Sequence, residues 1–214
     1  MFEYWKNQHT ARGFAPGGMF MKDNLVYIPI PKNSSSYIGQ LLLKNGWGIG
    51  NFLTTDLTNK QLIILLRDPI ERWISGMAQY LCSLLLKNGK TSDDIIKNWN
   101  NIIQDLIFDR VIFDDHTEKQ VYFIQSIPIE NCVFFNSAKQ PEQAVKQYLT
   151  THDVDLNIDM VIDRNQTQGN KYKEPLVDFL RDQLAQNPSL TNKLMNTYRE
   201  DYTLWNVIIY PQSS

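Results

Sequence analysis

The chain has 214 residues, 43% of them apolar and 21% charged. That length builds one sizeable core and falls short of two full domains, and the composition excludes disordered, collagen-like and disulfide-framework proteins. Net charge is −2, which argues against bulk nucleic-acid binding, yet residues 1–75 carry eight Lys and Arg against five Asp and Glu. A basic first third inside an acidic chain suits a small anionic ligand better than a polyanion. No apolar run approaches the roughly 18 residues of a membrane helix. The opening MFEYWKNQHTARGF lacks the apolar stretch of a signal peptide, and Cys82 and Cys132 are the only cysteines. The expectation is one domain over residues 1–214, cytoplasmic, without a membrane span.

In chain order, residues 1–18 read as an irregular arm with Gly13, Pro16, Gly17 and Gly18. Met19–Lys22 and Leu25–Ile30 flank Asp23-Asn24, which predicts a hairpin. Leu25–Ile30 is short, apolar and β-branched, as a buried central strand should be, and runs straight into Pro31-Lys32-Asn33-Ser34-Ser35-Ser36. Ile38, Leu41 and Leu42 then recur at helical spacing until Asn45-Gly46. The unit repeats. Gln61–Leu66 is a second apolar strand ending in Arg67-Asp68-Pro69, and Pro69 opens a helix carrying Trp73, Met77, Tyr80, Leu81 and Leu84.

Further strands are predicted at Val121–Gln125 and Cys132–Asn136, with a weaker one at Met160–Ile162. Helices are predicted near Asp93–Phe108, Pro141–Thr150, Tyr172–Gln186 and Ser189–Asn206. Strands alternating with helices predict an α/β fold, three-layer αβα with a mostly parallel central sheet. Ligands of such sheets bind at the C-terminal ends of the strands, where both Lys32 and Arg67 fall. Trp73, Tyr80, Trp99, Tyr198 and Trp205 stand at helical spacing and read as core.

The Lys32 segment has the makings of an anion cradle. A turn after a strand aims successive backbone N–H groups at one point, and the following helix adds its positive N-terminal end. Asn33, Ser34, Ser35 and Ser36 add polar donors and Lys32 adds a mobile charge. The pattern is not a Walker A loop, because Lys32 precedes the hydroxyls and the glycines are missing. An ordinary serine-capped helix start with a solvated lysine is the bland alternative. In the second segment Arg67 is a bidentate phosphate binder by geometry, and Ser75 stands eight residues later in the helix. There the bland alternative pairs Arg67 with Asp68 or Glu71.

Together the two segments resemble the sulfotransferases that use 3′-phosphoadenosine-5′-phosphosulfate (PAPS). In that family a P-K-x-x-[ST]-[ST] loop grips the 5′-phosphosulfate and an R-D-P-x-x-R-x-x-S segment grips the 3′-phosphate. Here they read Pro31-Lys32-Asn33-Ser34-Ser35-Ser36 and Arg67-Asp68-Pro69-Ile70-Glu71-Arg72-Trp73-Ile74-Ser75. Asp115-His116 followed by Gln120 looks like a stretch of carbohydrate-modifying members, and Arg164-Asn165 and Tyr198-x-x-Asp201-Tyr202 also look family-like. Many relatives have Gly or Ala where Ser34 stands, and the chain is short for the family.

The resemblance implies a P-loop-like sulfotransferase fold and transfer of a sulfuryl group from PAPS to a hydroxyl acceptor, such as a carbohydrate or a small molecule. Adenosine 3′,5′-bisphosphate would be the product, and no metal is demanded. Lys32 would neutralise the leaving oxygen while Ser35, Ser36 and the loop amides of Asn33 and Ser34 hold the 5′-phosphate. Arg67 and Ser75, joined by Arg164, would hold the 3′-phosphate. His116 is the candidate base, since imidazole titrates near neutral pH, with Asp114 and Asp115 as fallbacks. Two competing readings are a nucleotide-dependent, kinase-like phosphotransferase and a non-catalytic nucleotide-binding protein.

Overall fold

The computed structural model describes residues 18–51, 55–87, 91–124, 127, 129–160 and 170–209. All of the expected 1–18 arm but Gly18, together with Arg164 and most of the Met160–Ile162 strand, lies outside the described residues. Among the described residues five strands form one mixed sheet: β1 (Met19–Lys22), β2 (Leu25–Ile28), β3 (Gly48–Gly50), β4 (Gln61–Leu66) and β5 (Cys132–Asn136). The spatial order is β3-β1-β2-β4-β5. The predicted hairpin is present, with Phe20 opposite Tyr27 and Lys22 opposite Leu25. Only β2, β4 and β5 run parallel, since β1 pairs antiparallel with both β2 and β3. The sheet is therefore half antiparallel rather than mostly parallel, because the hairpin sits inside it and β3 returns along its outer edge.

Among the described residues there are eight α-helices: α1 (Ser35–Lys44), α2 (Pro69–Lys87), α3 (Ser92–Lys97), α4 (Trp99–Phe108), α5 (Pro141–Thr150), α6 (Asn170–Gln186), α7 (Pro188–Thr197) and α8 (Arg199–Ile209). Strand alternation decides what each face buries. Leu25, Tyr27, Ile63 and Leu65 point to one side, where Ile38, Leu41 and Leu42 of α1 and Val145 and Leu149 of α5 cover them. Val26, Ile28, Leu62, Ile64 and Leu66 point to the other, against Phe123, Ile124 and Trp205. Both faces are dry, which explains why these strands read as continuous apolar runs. A third cluster unites α2, α4, α6 and α7 through Trp73, Met77, Ile103, Leu176, Leu180 and Leu194.

Two predicted helices are each broken once. Asp93–Phe108 divides at Asn98, whose amide side chain bonds back to the Asp94 carbonyl at 2.7 Å. Ser189–Asn206 divides at Tyr198. The strand expected at Val121–Gln125 is a 3₁₀ turn over Val121–Phe123. Its leading amides are taken by a carboxylate: Gln120 and Val121 N–H donate to the two oxygens of Asp201 at 2.8 and 2.9 Å, so neither can join a ladder. Among the described residues, no helix is long and apolar enough to cross a membrane.

Candidate functional site

The site forms where β2, β4 and β5 end on the same side of the sheet. After β2 the chain turns sharply, and Lys32 (φ 70°) and Ser34 (φ 58°) both take the left-handed conformation. Neither is glycine, so each costs roughly 1–2 kcal/mol of backbone strain that the surroundings must hold in place. Ser34 caps α1 by position but makes no side-chain cap bond. The first backbone bond of the helix is Ile38 N–H to the Ser34 carbonyl, so among the described residues the Ser35 and Ser36 amides keep no acceptor. This is the open, positive end of a ten-residue helix beside a lysine.

Three side chains lock the turn. Asn33 is fully buried and donates to the Leu65 carbonyl at 2.8 Å and to Gln120 Oε1 at 2.7 Å. Its side chain thus serves the fold, and its backbone amide donates to the Ile30 carbonyl at 3.2 Å, so the expected role of the Asn33 amide in holding a phosphate is not met. Gln120 also accepts the Arg67 amide at 3.0 Å and donates to the Arg67 carbonyl at 2.9 Å. Arg72, 1% exposed, donates to the carbonyls of Pro31 (2.9 Å), Asp115 (3.1 Å) and Glu118, and lies 5.7 Å from the Phe123 ring centroid. One guanidinium fork therefore fastens the Lys32 turn to the loop bearing His116, a role that lysine could not reproduce. Tyr198, donating its hydroxyl to the Thr117 carbonyl, and Asp201 hold that loop from behind. Their structural roles explain the late Tyr-x-x-Asp signature.

The His116 loop comes very close to α2. A Cβ on Gly76 would stand 2.2 Å from the His116 carbonyl oxygen, so only glycine permits this approach. Within the loop, His116 Nδ1 lies 3.0 Å from Asp114 Oδ2 and 3.1 Å from Asp115 Oδ1. Burial pulls the imidazole pKa down, but hydrogen bonds and charge attraction from the two carboxylates outweigh it and raise it to about 9. Among the described residues its Nε2 has no hydrogen-bond partner. The three side chains offer ligand atoms within 4.8 Å of one another, a grouping able to hold a cation. Counting only His and Cys in the sequence misses it, because two of the donors are carboxylates.

A cavity of about 290 Å³ lies between the Lys32 turn and the His116 loop, lined by Phe20, Pro29, Pro31, Lys32, Ser35, Ser36, Asp115 and His116. Lys32 Nζ rests 3.5 Å from Gln79 Oε1 of α2. Burial and the neighbouring Lys173 lower its pKa to about 7, with Asp114 opposing the shift and Arg67 adding to it. The structure thus brings five of the expected residues together: Lys32, Ser35, Ser36, Asp115 and His116. Ser34 faces elsewhere, its hydroxyl 3.4 Å from the Ser137 carbonyl.

Arg67 and Ser75 are not among the cavity's lining residues. Arg67 donates to the Lys32 carbonyl at 3.3 Å and stands 3.8 Å from Glu71, which is held more closely by Arg181 at 2.9 Å. Ser75 is 9% exposed on α2. Sequence reasoning gave no role to Arg72 and no mention to Lys173; the second arginine of the R-D-P-x-x-R segment was the available signal for Arg72. No protein-family model matches the chain, and comparisons with curated proteins and with solved structures find no match either.

Proposed function

We propose that this chain is a sulfotransferase of P-loop-like fold that moves the sulfuryl group of PAPS to a hydroxyl acceptor by in-line displacement. The observation that carries the reading is the shared cavity: a strained lysine turn and the open end of α1 face an aspartate–histidine pair across it. The Ser35 and Ser36 amides and hydroxyls hold the 5′-phosphate, and Lys32 meets the bridging oxygen. The acceptor oxygen forms a bond to sulfur as the sulfur–oxygen bond to the phosphate breaks, releasing adenosine 3′,5′-bisphosphate. Lys32 neutralises the charge that grows on that phosphate, and positioning plus electrostatics supply most of the rate.

The acceptor proton goes to His116 Nε2, since the Nδ1 side is engaged by Asp114 and Asp115. With the imidazole pKa near 9, His116 reaches its working neutral form on the alkaline side. Arg67 at the end of β4 is assigned to the 3′-phosphate in this reading; its 3.8 Å ion pair with Glu71 is the weaker of two, since Arg181 holds that carboxylate at 2.9 Å. The test is transfer of ³⁵S from labelled PAPS to a panel of sugar, phenol and alcohol acceptors. Turnover that falls about a hundredfold or more in Lys32→Ala supports the role. Unchanged turnover with donor bound removes it.

The Asp114–Asp115–His116 cluster supports one rival, a phosphotransferase that places a divalent cation there. Dependence of any transfer on magnesium, abolished by Asp114→Asn, would select it.

A further inference from the structure

Helices α2 and α6 pack side by side, and polar contacts at two points mark their register. Arg181 grips Glu71 through two bonds, Nε to Oε1 at 3.2 Å and Nη2 to Oε2 at 2.9 Å. Eight residues on along α2, Gln79 touches Lys32 Nζ, and eight residues back along α6 stands Lys173, within side-chain hydrogen-bonding reach of Lys32. The helices therefore run antiparallel, and two turns of each carry the pairing from a salt bridge at one end to two lysines at the other. Leu176 and Leu180 of α6 share one buried cluster with Trp73 and Met77 of α2 between these points, so packing holds the register that the polar contacts mark.

The lysine pair is electrostatically unfavourable as it stands. Lys173 lies in the first turn of α6, where the helix end is itself positive and cations are destabilising. The groups that face Lys32 are Lys173 from α6, Arg67 from the end of β4, Gln79 from α2 and Asp114 from the His116 loop. Asp114 thus acts on Lys32 against two further cations, while Asp115 and His116, paired with each other, line the same cavity, at a turn already strained at Lys32 and Ser34. A fold that gathers positive charge against its own repulsion is shaped for an anion that arrives from outside.

We propose that Lys173 is a second donor-site cation, joining Lys32 on the phosphate of the incoming anion. The chemical class is a di- or polyanionic phosphate, and the identification of that anion as the leaving phosphate of PAPS rests on the sulfotransferase reading. Burial and, after it, the neighbouring ammonium group of Lys173 lower the Lys32 pKa in the empty site, and a bound anion opposes that shift. Binding then takes up protons, a property that a lysine of purely structural purpose would lack.

Titration calorimetry of the full chain with adenosine 3′,5′-bisphosphate and with inorganic pyrophosphate, on the wild type, Lys173→Met and Lys173→Arg, separates the possibilities. Expected is an affinity loss of about tenfold or more for both probes in Lys173→Met, most of it recovered in Lys173→Arg. The Lys32 pKa, read by NMR after reductive ¹³C-methylation and assigned by its absence in Lys32→Met, should rise in Lys173→Met, whose thermal midpoint should be no lower than wild type. Affinities within twofold of wild type for both probes overturn the proposal. A wild-type protein that binds pyrophosphate with this Lys173 dependence but ignores the bisphosphate keeps the clamp and retires the PAPS reading. Binding of neither probe overturns the clamp as well.

Discussion

Gln120 pairs head to tail with the backbone of Arg67, accepting its amide at 3.0 Å and donating to its carbonyl at 2.9 Å. The same Oε1 accepts from Asn33 at 2.7 Å. A single buried carboxamide thereby ties the end of β4 to the turn after β2, the two places where the anion-binding segments begin. Gln120→Ala leaves the Arg67 amide and the Asn33 side chain without that partner, each worth about 1–3 kcal/mol when buried. The expected result in urea denaturation is a loss of about 3 kcal/mol, together with weaker anion binding. A loss under 1 kcal/mol would mean that water replaces the side chain without penalty.

Ser34 offers the opposite case. Its left-handed backbone and its lack of a capping bond make glycine the better residue there. Ser34→Gly should stabilise the fold by about 0.5–1 kcal/mol, the strain relieved less the extra freedom of the unfolded chain. The urea midpoint reads it directly, and a lower midpoint would show that the 3.4 Å contact to the Ser137 carbonyl matters more than the strain.

Gly76→Ala tests the contact between α2 and the His116 loop. The new methyl would meet the His116 carbonyl at 2.2 Å, so the loop must retreat. Turnover is expected to fall far more than stability, because a displacement of about 1 Å near a reacting group costs on the order of a hundredfold. Equal turnover in the variant and the wild type would place the reacting groups elsewhere.

Two titrating groups pull stability in opposite directions. His116 has its pKa raised to about 9, so its contribution is complete below its unfolded value near 6.5 and is lost as pH rises through 9. Lys32 has its pKa lowered to about 7, so its charge is a penalty below 7 that lifts as pH rises towards 10.5. Between pH 7 and 9 the two slopes oppose each other. Urea midpoints at pH 7, 8 and 9 should change little in the wild type, rise with pH in His116→Asn and fall in Lys32→Met. Rates follow the same groups: kcat/KM should be bell-shaped about pH 8, while kcat keeps only the rising limb once bound anion has recharged Lys32.

Much of this fold was legible because apolar strands buried on both faces leave a plain signature, as in Leu25–Ile28 and Gln61–Leu66. The edge strand Gly48–Gly50 was not, since two glycines around Ile49 give no alternation to read. The run from Val121 looked like a strand because its residues are apolar and β-branched or aromatic. What it lacked was free amides, and Asp201, distant in sequence, had taken them. The lysine turn and the histidine were readable as local patterns. Arg72 and Lys173 were not, because their meaning lies in contacts that only the folded chain creates: Arg72 with Pro31, Asp115 and Glu118, and Lys173 with Lys32.

The most direct test of the sulfotransferase reading is calorimetric titration of the wild-type chain with adenosine 3′,5′-bisphosphate, with 5′-AMP and ATP–magnesium in parallel. The account predicts a dissociation constant in the micromolar range, about 8 kcal/mol of binding, weakened tenfold or more when the 3′-phosphate is missing. Tighter binding of ATP–magnesium than of the bisphosphate would contradict it.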